Sequence, residues 1–107
     1  MERIPERDWK KLRSIKKDLL DVACERILKK IENLINNKTN DNHKTYLKLW
    51  KLIRQEDRKI ATMFDNPRRS NAIFQMAELV KHNLIEQKTL KEFSQETQER
   101  INRILEM

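Results

Sequence analysis

No glycine occurs anywhere in the 107 residues, and proline occurs only twice, at Pro5 and Pro67. Glycine is the favoured residue of the tight primed turns that join β-strands, so a chain without it is poorly equipped for hairpins of that kind. Phosphate-cradling loops of the P-loop and dinucleotide-binding types need glycine where backbone meets phosphate, and both are excluded. Helices can still end, because asparagine tolerates the left-handed conformation of a C-terminal cap. Asn36, Asn37, Asn66 and Asn83 are available for it.

Cys24 stands alone, which rules out an intrachain disulfide and a cysteine-based zinc site. His43 and His82 have no metal-ligand spacing, and Ser14, Ser70 and Ser94 lie in no nucleophile motif. No catalytic residue, metal site or cofactor motif emerges, so the expectation is a protein that is not an enzyme. No apolar run suits a signal peptide or a membrane span either; a cytoplasmic location with no membrane partner is expected.

What the chain has in abundance is charge. Asp, Glu, Lys and Arg make up 38% of the residues and the net charge is +7, against about 25% charged residues in an average soluble domain. Residues 1–64 hold 17 Lys/Arg against 10 Asp/Glu, whereas residues 65–107 hold seven of each. The positive excess therefore belongs to the first part of the chain, and it points to nucleic acid or an acidic protein surface as the class of partner.

Apolar residues recur at helical spacing, which predicts an all-α fold: a single domain, 1–107, folded as a bundle of four to five helices. The first region, 5–36, carries an apolar stripe that includes Trp9, Leu12, Leu19, Ala23, Cys24, Ile27, Leu28, Ile31, Leu34 and Ile35, with Cys24 read as a small core residue. Ile15 and Val22 fall off that stripe and predict a break near residues 13–16. The polar segment 36–42 is a loop. A second long helix follows to Phe64, with Tyr46, Trp50, Ile53, Ile60 and Phe64 marking its buried face. Asp65 or Asn66 suits a cap and Pro67 a first helical position, so a third helix is expected over 67–82. Apolar residues cover most of its circumference, which places it at the centre of the bundle. A short helical turn around residues 84–93 and a last helix capped by Ser94 complete the chain.

The segments Arg7-Asp8-Trp9, Cys24-Glu25-Arg26-Ile27, Pro67-Arg68-Arg69-Ser70 and residues 90–97 resemble a family of small bacterial all-α proteins with no known activity. The resemblance spans most of the chain and implies one compact helical domain; it implies no function.

Two surface features stand out. Lys44, Lys48, Lys51 and Arg58 fall within an arc of about 80° at the helical 100° per residue, and Lys59 lies beside them. Such a ridge suits a phosphate backbone, and its richness in lysine fits charge attraction better than base reading. The other reading is a solvated helix face. Asp57 lies on the apolar side of the same helix, where a carboxylate needs a partner; Arg69, across the turn, is the expected one. Arg68 and Arg69 could also lead a DNA-reading helix, but a helix enclosed on all sides has no wet face for a groove. The first helix has a wide apolar stripe, so a self-associating homodimer stands beside the monomer as an expectation.

Overall fold

The computed structural model describes residues 3–107. Among them are five helices and no strand: α1 (Glu6–Asn36), α2 (Asn42–Phe64), α3 (Ala72–Lys81), α4 (Gln87–Leu90) and α5 (Gln95–Leu105). The all-α bundle expected from the sequence is what forms.

α1 runs unbroken through the expected break at residues 13–16. No proline or glycine interrupts it, and an apolar residue off the stripe does not end a helix if a neighbour covers it. Ile15 has such cover, lying partly buried against the core, while Val22 is exposed. At 1.5 Å per residue the 31-residue helix is about 46 Å long. It outreaches every other element.

The turns rely on asparagine and aspartate, as a glycine-free chain must. Asp41 caps α2 by accepting the Lys44 backbone N–H at 3.0 Å. Asn66 and Asn83 carry positive φ, 49° and 60°. At Asn83 the Leu84 N–H bonds the Leu79 carbonyl at 2.8 Å and the Asn83 N–H bonds the Val80 carbonyl at 3.0 Å, the paired pattern of a Schellman ending. Leu84, the residue after the left-handed position, is buried. Ser94 caps α5 by accepting from the Thr97 N–H, as its sequence predicts.

α3 starts later than expected. Pro67 is not its first residue: Asn71 accepts the Arg68 N–H and donates to the Asn66 carbonyl, folding residues 66–71 into a turn, and the helix begins at Ala72. The shortened α3 is nevertheless the centre of the bundle. Ala72, Ile73, Gln75, Met76, Ala77 and Leu79 are buried, and α3 packs on α5 and α2. Phe74 departs from the expectation and is exposed. Gln75 is satisfied inside by Lys16, which donates to its Oε1 at 3.1 Å, and by the Asp65 carbonyl, which accepts from its Nε2 at 2.8 Å.

These helices form a head built around α3, α4, α5 and the near ends of α1 and α2. The far ends of α1 and α2 project from it as an antiparallel hairpin. Between residues 24 and 55 no side chain is buried. The molecule measures 54 × 24 × 24 Å, with a radius of gyration of 16.7 Å, against ~13 Å for a compact domain of about 100 residues.

Candidate interaction surface

The second helix presents two apolar stripes, and the expected one is not the buried one. α2 turns Thr45, Leu49, Leu52, Glu56 and Met63 toward α1 and the head; Met63 and Glu56 are buried and the other three half-buried. Tyr46 (63% exposed), Trp50 (55%) and Ile53 (40%) lie in water instead. Ile60 and Phe64, at the head end, are half-buried against the core. Cys24, expected in the core, is exposed. Leu28 (64% exposed) and Ile35 of the α1 stripe are exposed as well, while Leu12 and Ala23 of that stripe are buried and Trp9, Leu19, Ile27, Ile31 and Leu34 half-buried. The physical reason is shared: a stripe needs a facing layer along its whole length, and the head covers only the near end of each helix.

The expected ion pair between Asp57 and Arg69 does not form. Asp57 is exposed on α2, and Arg69 pairs with Glu6 at the start of α1. The turn at residues 66–71 carries Arg69 toward the first residues of the chain, where the Ile4 N–H also bonds the Arg69 carbonyl at 3.3 Å.

Among the described residues the buried carboxylates are two others. Glu56 lies where the hairpin leaves the head. Lys30 donates to its Oε1 at 2.9 Å and Lys59 at 3.3 Å. Burial by itself would raise the Glu56 pKa; the hydrogen bonds and charges of Lys30, then Lys59, outweigh it and hold the group below its ordinary value. The adjoining cleft, of about 120 Å³, is lined by Arg26, Ile27, Glu56, Met63 and His82, and it is smaller than the ~300 Å³ at which small-molecule pockets begin. Arg26 closes it, donating to the carbonyls of His82 at 2.9 Å and Asn83 at 3.0 Å, where α3 ends.

Asp8 is the second. It sits at the N-terminus of α5, where unpaired N–H groups favour an anion. Its Oδ1 accepts the Ser94 N–H at 3.0 Å, and its Oδ2 accepts the hydroxyls of Ser94 and Thr97. Burial would raise its pKa; these hydrogen bonds, with the charge of Arg7, bring it below the ordinary carboxylate range. Both carboxylates are held by structural partners, Asp8 through both oxygens and Glu56 through Oε1. Lys16, half-buried beside Gln75, has its pKa lowered by burial.

The cationic ridge is where the sequence puts it. Lys44, Lys48, Lys51 and Arg58 are exposed along α2, joined by Arg54, and none of their side chains takes part in an ion pair or hydrogen bond among the described residues. Lys59 is exposed but committed to Glu56. No group of three His, Cys, Asp or Glu is gathered among the described residues, and no helix of theirs is long and apolar enough to cross a membrane.

No protein-family model, curated protein or solved structure matches the chain.

Proposed function

We propose that this protein is a non-enzymatic binding module whose α2 ridge holds a nucleic acid by its phosphates. The observation that carries this reading is the run of cations Lys44, Lys48, Lys51 and Arg58, exposed and free of ion partners on one side of a single helix. Surface lysines are commonly scattered among acids that neutralise them. Here the acids of α2 are elsewhere: Glu56 is turned inward and Asp57 lies on the apolar side. The four cations span about 21 Å at 1.5 Å per residue. Such a rod suits a regularly spaced backbone better than an irregular acidic protein face. Recognition of this kind reads charge and leaves base sequence unread.

Binding of labelled duplex and single-stranded oligonucleotides, followed by anisotropy across a salt series, tests it. Four phosphate contacts on a duplex predict a log–log slope of about −3.6. The combined variant Lys44→Glu, Lys48→Glu, Lys51→Glu loses binding and keeps its helicity. Absence of binding at the lowest salt, or unchanged affinity in that variant, overturns the reading.

A further inference from the structure

The far half of the hairpin is two helices thick and has no buried side chain between residues 24 and 55. Isolated helices and helix pairs are marginal in water, because most helical stability comes from a covered apolar face. One flank of this hairpin is covered at its base: Arg26 bonds the end of α3, and Lys30 and Lys59 meet Glu56 there. Those contacts fix which way each helix is turned. At 100° per residue, Cys24, Leu28 and Ile35 of α1 fall on the opposite flank, and Tyr46, Trp50 and Ile53 of α2 fall on that same flank. Six exposed apolar side chains thus share one face, together with the exposed carboxylate of Asp57. They offer several hundred Å², more than single apolar residues scattered on a surface and approaching the ~800 Å² that each partner brings to a standard interface.

We infer that this face is covered by the same face of a second copy of the chain, giving a symmetric four-helix bundle in which α1 of one copy lies against α2 of the other. Charge complementarity selects that occupant. The edge of α1 beside the apolar face carries Asp21 and Glu32, and the edge of α2 beside it carries Arg54; all three are exposed, while Glu25 nearby is paired with Lys29 on its own helix. A two-fold axis running along the hairpin stacks each α1 on the partner's α2 in antiparallel sense and brings opposite edges together. The Lys30–Glu56 contact sets the levels, so that Glu32 of one copy stands at the height of Arg54 on the other. The heads lie on the outer flanks and do not collide. This inference does not rest on the nucleic-acid reading, since Lys44 and Lys48 point away from the face.

Light scattering on the full chain over a concentration series is the test. The expected mass is twice the 13.1 kDa of one chain. Trp50→Glu and Leu28→Glu, both at positions exposed in the single chain, give monomers with unchanged helicity by circular dichroism. Glu32→Arg and Arg54→Glu each weaken the dimer, by about tenfold for the two like-charge contacts created. An equimolar mixture of those two variants restores it, because every contact in the mixed dimer is again opposite in sign. Labelling of Cys24 slows as the protein is concentrated. A monomer at all concentrations, a dimer indifferent to Trp50→Glu and Leu28→Glu, or failure of the mixture to restore association each overturns the inference.

Discussion

The head and the far hairpin are made of the same helix-forming residues yet obey different economies. In the head, Leu12, Met76, Leu79 and Ile101 are fully enclosed, and even the carboxylate of Asp8 has its hydrogen bonds supplied. In the hairpin between residues 24 and 55, larger side chains such as Trp50 and Tyr46 stay in water. Burial, rather than residue size or helix propensity, separates the part that holds the fold together from the part available to something else. Aromatic residues that would anchor a core in another setting are here exposed.

Substitutions should reproduce that contrast. The largest losses belong to the centre of the head: Leu79→Ala and Met76→Ala each empty an enclosed site and should cost about 2–5 kcal/mol in chemical denaturation. Next comes Asp8→Ala, which strips Ser94 and Thr97 of their acceptor at the start of α5 and should cost about 2–3 kcal/mol. Both Asp8 and Glu56 have folded-state pKa values below their unfolded ones. Their contribution is therefore complete above the unfolded values and is lost as pH falls through the folded ones, so stability should drop below about pH 4. Asp8→Asn should flatten that acid limb, which urea unfolding at a series of pH values reads directly. Glu56→Ala, at the junction, should cost about 1–2 kcal/mol, because Lys30 and Lys59 are half in water and partly recover their solvation. At the small end, Trp50→Ala in dilute protein should cost less than about 0.5 kcal/mol, the behaviour of a surface site despite the size of the side chain removed. A loss at Trp50 as large as at Leu79 would erase the division between the two regions.

Much of the fold was legible in the sequence, and the errors have a common source. The 36–42 loop, the left-handed asparagines at 66 and 83, the Ser94 cap and the central placement of α3 all follow from local chemistry, whereas Asn36 and Asn37, equally eligible, end α1 without positive φ. The buried face of α2 did not, because the helix has two apolar stripes. The aromatic one, Tyr46, Trp50 and Ile53, is the heavier, whereas the packed one runs through Thr45, Leu49, Leu52, Glu56 and Met63 and contains a charge. Choosing between them requires knowing where α1 lies. Asp57 and Glu56 exchange roles for the same reason. Asp8 was readable in principle: it stands four residues before the enclosed Leu12, in line with that stripe, and a carboxylate at such a position needs donors like those of Ser94 and Thr97. Arg69 was misplaced because the turn preceding α3 is longer than the Pro67 signal suggests.

Amide hydrogen exchange at two protein concentrations tests the central claim most directly, since it reads local opening residue by residue. In dilute protein, amides of residues 24–55 should exchange far faster than those of Ile73, Met76 and Leu79, and concentration should slow the first group while leaving the second unchanged. Equal protection of hairpin and head in dilute protein, with no response to concentration, would contradict the account.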